Sequence, residues 1–217
     1  MSGDPQRGRE LYLTGCQSCH GFAARGIQGT APSLHGVGAA SADFYLSTGR
    51  MPLDDPRSQP DRTEPAYDQR SLDDLVAYIG SLGGPAVPQV DVVGGRLNVA
   101  EGQKLFTANC AACHQIAGRG GVMSGAFVPT LLEATPRQIV EAARIGPYVM
   151  PRFSEAQLND RELAAIAKYV QYAKHPENPG GWALFNVGPV PEGMVAWLIG
   201  VLALLLVIRM LGRNEAP

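Results

Sequence analysis

Cys16-Gln17-Ser18-Cys19-His20 decides the reading of this chain, because it returns 94 residues later as Cys110-Ala111-Ala112-Cys113-His114. Cys-x-x-Cys-His is the attachment signal of c-type haem. Two thiols one helical turn apart can add to the two vinyl groups on one edge of a porphyrin. The His that follows then lies beneath the iron as its proximal ligand. A bare Cys-x-x-Cys could equally be a redox dithiol or half of a zinc site. The trailing His, present twice, argues against both. All four cysteines are consumed by the two motifs, so none is left for a disulfide framework. The expected cofactors are therefore two covalently bound c-type haems.

Working outward, the 217 residues allow one or two domains. Two motifs so far apart favour two small domains of about 80 residues each, a size at which a haem can supply much of the core. A net charge of −2 with 18% charged residues excludes a strongly basic nucleic-acid binder. Charge is unevenly spread, with 7 Lys/Arg against 10 Asp/Glu in residues 1–84 and 8 against 6 in residues 97–175. The two halves are expected to face different partners.

The surroundings of the motifs also repeat. Asp4-Pro5 reads as an N-cap with Pro at the first helical position, leading through Leu11 and Leu13 to the first motif. Asn98 with Glu101 reads as a capping box, leading through Leu105 and Phe106 to the second. A Gly-rich loop follows each motif and ends in Pro32-Ser33-Leu34 or Pro129-Thr130-Leu131. Short helices are expected over 41–47 and from Thr135-Pro136 to Ile145, the latter stopped by Gly146. Each delivers the chain to a Met-Pro pair, Met51-Pro52 or Met150-Pro151. An amphipathic helix closes each half. The first has Ser71 as cap, Asp74 at N3 and a face of Leu72, Leu75, Val76 and Ile79; the second has Asn159 as cap, Glu162 at N3 and a face of Leu163, Ile166, Ala167 and Val170. Equal order and spacing mark an internal duplication.

Three stretches have no counterpart. Residues 53–70, rich in Pro, Asp and Arg, read either as a surface loop that a partner could recognise or as a solvated insertion. Residues 85–97 read as an extended interdomain linker. Beyond 98–175, a Pro/Gly-rich connector (176–193) runs into an apolar stretch, 194–211, whose 18 helical residues would reach about 27 Å, just enough for a bilayer core. Arg209 lies at its end, where it can snorkel. A single transmembrane helix is expected there, with the lipid membrane as partner.

An electron carrier needs a six-coordinate iron, because an open position invites oxygen or peroxide chemistry. Met51 lies 31 residues after His20, and Met150 lies 36 after His114, each immediately before Pro. Equivalent positions in a repeat make His20/Met51 and His114/Met150 the expected iron ligand pairs. Met123 is too near His114 to reach the far face, and His35 reads as a surface or propionate contact. A thioether ligand places such haems at high potential relative to bis-His ligation.

Each half resembles a class I cytochrome c fold: N-terminal helix, Cys-x-x-Cys-His, Pro-x-Leu loop, Met ligand and C-terminal helix. In that family the loop proline carbonyl accepts a hydrogen bond from the proximal His. Pro32 matches that position, and Pro129, three residues later relative to its motif, matches less tightly. The resemblance implies an all-α protein, with cytochrome c domains at 1–84 and 98–175 and one C-terminal span. The whole chain is similar to the diheme cytochrome c (cytochrome cc) subunit of the actinobacterial cytochrome bc1 complex. That likeness rests on Ala31-Pro32-Ser33-Leu34-His35-Gly36-Val37-Gly38, on Ser47-Thr48-Gly49-Arg50-Met51-Pro52, and on Pro191-Glu192-Gly193-Met194 leading into the span.

The resemblance implies a membrane-bound relay within a quinol–cytochrome c reductase. Electrons would enter from a Rieske iron–sulfur subunit beside cytochrome b. They would leave to the copper-centre subunit of an aa3-type oxidase. No substrate-transforming site of its own is expected. Alternatives are the diheme subunit of a cbb3-type oxidase or of a membrane dehydrogenase, and a diheme peroxidase-type enzyme. The cbb3 subunit would carry its span before the haem domains, and a peroxidase needs one open iron, which two matched Met-Pro sites oppose. Arg209 and Arg213 follow the span, whereas 180–193 holds no Lys or Arg, so the C-terminus is expected inside the cell membrane and the haem domains outside. The resembling family begins with a signal-anchor helix, and Met1-Ser2-Gly3-Asp4 opens no such apolar stretch; an upstream export segment is expected.

Overall fold

The structure, a computed structural model, describes residues 3–55, 60–92, 97–123, 125–175 and 189–213. Residues 1–175 form one compact unit and residues 176–217 a second. In the first unit, helices α1 (Pro5–Gly15), α2 (Gln17–His20), α3 (Gly38–Ser47) and α4 (Gln69–Ser81) make one half. The other half has α5 (Val99–Asn109), α6 (Ala111–His114), strands β1 (Gly121–Met123) and β2 (Ala126–Val128), α7 (Pro136–Ile145) and α8 (Asp160–Lys174). Each half is built the same way, with its first helix packed on its last: α1 on α4, and α5 on α8.

Both crossings depend on a glycine. A Cβ at Gly8 would overlap the carbonyl of Asp74, and one at Gly102 would overlap the carbonyl of Ala165. The backbones meet at those points, one helical turn before a fully buried aromatic, Tyr12 or Phe106. Tyr12 tilts against Tyr78 with centroids 5.3 Å apart, and Phe106 against Tyr169 at the same distance. Leu72, Leu75, Val76 and Ile79 are buried around the first pair, and Leu163, Ile166, Ala167 and Val170 around the second. The amphipathic faces read from the sequence are the core faces.

The caps agree with the sequence at Asp4 and Asn159, the latter as a reciprocal capping box with Glu162, and Thr135 forms a second such box with Gln138 at the start of α7. Gly146 ends α7 in the left-handed region, with φ 61°. Two expectations are corrected. Asp68, not Ser71, caps α4, and its carboxylate accepts the Ser71 N–H at 2.8 Å. Asp74 is buried instead, accepting the Asp4 N–H at 2.6 Å and Arg7 Nε at 2.8 Å, which ties the start of α1 to α4. Asn98 does cap α5, through the Ala100 N–H, but Glu101 closes no box; it faces Arg161 of α8 at 3.7 Å. The helix expected over 41–47 starts earlier, at Gly38.

An all-α description needs one amendment. β1 and β2 form an antiparallel hairpin with Val122 opposite Phe127. Its counterpart in the first half is a single bridge between Ile27 and Ala31. Part of the 53–70 segment packs across the halves: Arg62 donates to the Glu133 carbonyl and to Gln138, both at 3.1 Å. The start of the linker is equally engaged, the Pro85 carbonyl accepting from Ala40 N–H at 3.2 Å and Val90 and Val92 packing on the second core. Residues 56–59 of the first segment and 93–96 of the linker lie outside the described residues, as does 176–188 of the connector.

In the second unit, α9 (Pro189–Arg213) is one helix of 25 residues. Its apolar stretch, Glu192–Gly212, holds 21 residues, about 31 Å of helix, which is long and apolar enough to cross a membrane. Trp197, Leu198, Leu202 and Leu206 are all exposed, as lipid-facing side chains would be.

Gly→Ala inside a helix ordinarily stabilises by about 0.5–1 kcal/mol. At Gly102 the sign should reverse, with a loss of about 1–3 kcal/mol from overpacking against α8, read as a lowered midpoint in thermal denaturation. A Gly102→Ala variant as stable as the parent would mean that α5 and α8 do not meet this closely.

Candidate haem sites

Each motif is held by a single helical turn. Cys16 ends α1 and its carbonyl accepts the His20 N–H at 2.9 Å; Cys110 ends α5 and accepts the His114 N–H at the same distance. Both cysteines of a motif and the His thereby lie on one turn, as attachment to one porphyrin edge requires. The loop then folds back identically in both halves. Gly26 N–H donates to the His20 carbonyl and Leu34 N–H to Ala24; Gly120 N–H donates to His114 and Leu131 N–H to Gly118.

That return brings the proline carbonyls to the histidines. His20 Nδ1–H donates to the Pro32 carbonyl at 2.9 Å, and His114 Nδ1–H to the Pro129 carbonyl at 3.2 Å. A donor at Nδ1 leaves Nε2 of each ring with a lone pair for a metal, and a second partner at Nδ1 is how metal-bound imidazoles are oriented. Gly26 and Gly120 make the approach possible, since both have φ near +75°, and a Cβ on either would run into the Pro32–Ser33 or Val128–Pro129 backbone. The second contact is spaced 15 residues and the first 12. The hairpin takes up the difference, pairing Gly121 with Val128 so that Pro129 returns to its place.

Met51 and Cys16 pack against the first core with Leu34 and Tyr67, and Met150 and Cys110 against the second with Leu131 and Phe153. These side chains are half-buried and apolar, lining for a flat apolar group. Burial pushes the Cys16 and Cys110 thiols up to about 11, helped by the neighbouring Cys19 and Cys113. Such thiols are poor nucleophiles at neutral pH, unlike those of a redox dithiol. His114 is buried, and desolvation holds it below the usual imidazole range against the opposing pull of the Pro129 carbonyl. Neutral imidazole is the ligand form.

Arg50 was not singled out in the sequence, although it stands directly before Met51. It lies over the Phe44 ring at 5.2 Å, and its buried Nη1 has no hydrogen-bond partner among the described residues. Burial, followed by repulsion from Arg62, pulls its pKa down. A buried guanidinium donor of this kind fits an anionic group entering beside Met51, such as a haem carboxylate. His35, by contrast, is exposed and its Nε2 lies 2.9 Å from the Ala23 carbonyl, on the loop. Met123 sits on β1, away from the Met-Pro segment in sequence. No group of three or more His, Cys, Asp or Glu that could hold a bare metal ion occurs among the described residues. His20 and His114, each following a cysteine pair and held through Nδ1 by a proline carbonyl, fit a metal carried by a macrocycle.

Comparison with known proteins agrees with this geometry. The family described as Cytochrome c matches residues 5–83, and the family described as Cytochrome C oxidase, cbb3-type, subunit III matches residues 97–170. Cytochrome c domains hold covalently attached c-type haem, and this chain has two. A cytochrome bc1 complex cytochrome c subunit from Mycobacterium tuberculosis is 40% identical over 204 residues, covering 90% of this chain and 73% of that protein. The subunit of the same name from Corynebacterium diphtheriae is 35% identical over 227 residues, covering 97% of this chain and 81% of that protein. A cbb3-type cytochrome c oxidase subunit CcoP from Azospirillum is more distant, 28% identical and covering 75% of this chain and 60% of that protein. The chain therefore belongs to the family of cytochrome c subunits of the cytochrome bc1 complex, as an electron-transferring cytochrome c.

Proposed function

We propose that the chain is the membrane-anchored electron relay of a quinol-oxidising complex, with His20/Met51 and His114/Met150 as its two axial pairs. The observation that carries this reading is the pair of imidazoles locked through Nδ1 by Pro32 and Pro129 in two equivalent loops. Bound c-type haem supplies a one-electron couple. Cys16 and Cys19, and Cys110 and Cys113, anchor it on one edge. The proline carbonyls fix the tautomer and plane of each imidazole and raise its basicity. Met51 and Met150 would hold the iron of each haem by their thioethers, which would exclude water and peroxide from it and keep the couple at high potential. Arg50 would donate to a haem carboxylate of the first domain, and its charge would favour the less positive, reduced state there.

The domains are 1–84 and 98–175, joined by the 85–97 linker and followed by the 176–193 connector and the 194–211 anchor. Electrons enter from a Rieske iron–sulfur subunit associated with cytochrome b and leave to the copper-centre subunit of an aa3-type oxidase. The relatives' names support the bc1 setting. Arg209, at the far end of α9 from the acidic Glu192, supports a cytoplasmic C-terminus with the haem domains on the outer face of the plasma membrane. The cbb3-type match of residues 97–170 favours a second reading, a subunit of a cbb3-type oxidase. Purification in mild detergent separates the two. Recovery with a cytochrome b and an iron–sulfur protein is expected. Recovery with a haem–copper oxidase and neither of those would overturn the proposal.

Met150→Ala should leave both haems covalently attached while the second loses its low-spin His/Met spectrum, its potential falling by on the order of 100 mV. Persistence of both His/Met spectra would remove Met150 from the ligand set. Arg50→Gln should lower the potential of one haem only, by roughly 40 mV for each kcal/mol of attraction lost in a one-electron couple. An unshifted spectroelectrochemical titration would show that Arg50 does not meet the haem.

A further inference from the structure

The seam between the two halves holds a buried acid that the electron-transfer reading does not use. α3 and α7 are each ten residues long and pack against one another. They are the same helix of the repeat, so Asp43 and Glu141, the sixth residue of each, are equivalent positions brought face to face by the duplication. Glu141 is 0% exposed and Asp43 4%. Protein atoms alone enclose Glu141, and neither of its carboxyl oxygens has a hydrogen-bond partner among the described residues. Asp43 faces it closely enough to repel a second negative charge and to accept a hydrogen bond from a protonated Glu141 carboxyl.

The cations do not resolve this. Arg137 of α7 pairs with Asp43 at 3.5 Å. Arg62 reaches the seam only through Glu133 and Gln138, and Gln138 in turn bonds Ser47 Oγ at 3.1 Å. Lys174 of α8 is engaged by the Ala134 carbonyl and Gln171, and Arg144, at the end of α7, by Glu155 and Asp160. An ionised Glu141 would be a second buried carboxylate beside the first, which a low-dielectric seam does not tolerate.

We propose that Glu141, facing Asp43 across the α3–α7 seam, is a proton-binding site whose bound proton holds the two haem domains together. Burial first, and Asp43 second, push the Glu141 carboxyl up to about 10 against the opposing effect of Arg137. A group raised in the closed seam contributes its full stabilisation below its ordinary value of 4.5, and loses it as pH rises towards about 10. Within that window one proton is released on opening, so the open-to-closed ratio of the seam should rise up to tenfold per pH unit. Quinol oxidation acidifies its surroundings, and on this scheme it tightens the contact between the domains. The proton site itself stands whether or not the bc1 setting holds.

The test uses the full, haem-loaded chain in detergent. Infrared spectra at pH 7 should contain a protonated-carboxyl C=O stretch that is absent from Glu141→Gln and that disappears from the parent as pH is raised towards 10. Spin labels on the two halves should report an open fraction that climbs with pH in the parent and is flat in Glu141→Gln, whose neutral amide mimics the bound proton. Should Glu141→Gln not accumulate, Asp43→Asn replaces it: with the facing negative charge removed, the same band should vanish at lower pH than in the parent. A band that stays at the same pH in Asp43→Asn, a parent spectrum without the band, or equal pH slopes in the parent and Glu141→Gln would each overturn the proposal.

Discussion

Everything in the haem-binding unit hangs on two helix crossings in which backbone touches backbone. At Gly8 against Asp74 and at Gly102 against Ala165 no side chain separates the helices. This proximity lets one aromatic ring from each partner, Tyr12 with Tyr78 and Phe106 with Tyr169, seal the junction. The rings are also tied onward. Tyr12 Oη donates to the Gly21 carbonyl and Tyr169 Oη to the Ile116 carbonyl, both at 2.6 Å. Each hydroxyl thus reaches the loop just past a Cys-x-x-Cys-His motif. The crossing angle and the position of the motif are set by one object.

From that object the loop chemistry follows. The return of the chain to Gly26 and Gly120 presents a carbonyl to each proximal imidazole, and the hairpin β1–β2 absorbs three extra residues without moving the second carbonyl out of reach. The two halves solve the same orientation problem with different lengths of chain. The longer loop brings a consequence: Val122 and Phe127 stand on its surface largely exposed, where the first half has no equivalent. Duplication preserved the setting of His20 and His114 against their proline carbonyls and let the surroundings diverge.

The seam is the third level. Arg62, from an insertion present only in the first half, crosses to Glu133 and Gln138, while Gln138 caps its own helix through Thr135 and reaches Ser47. These contacts are polar, in keeping with interfaces between domains of one chain that are less apolar than the domain cores. Fixed separation of the two halves would matter to the proposed relay, in which each serves a different partner while the two exchange electrons. The burial of Glu141 in this contact makes its geometry sensitive to a single proton.

The sequence by itself determined the cofactor chemistry, the duplication, the core faces of α4 and α8 and the helix long enough to cross a membrane. Those are local or periodic properties: five adjacent residues, a repeated spacing, a 3.6-residue stripe and a run of apolar side chains. It also named Pro32 and Pro129, through a family pattern. Tertiary structure decided the rest. Asp74, read as the N3 residue of a cap, proved to be a buried acceptor for Asp4 and Arg7, because its partners lie about 70 residues away. Arg50 and Glu141 carry no local signal of their setting; only packing shows that Arg50 Nη1, beside Phe44, and both Glu141 carboxyl oxygens, beside Asp43, are buried with no hydrogen-bond partner among the described residues. The close approaches at Gly8 and Gly102 were equally invisible, since a glycine reports freedom of its own backbone and says nothing of which helix will lie against it. Sequence periodicity tells which face is buried; only the fold tells what that face meets.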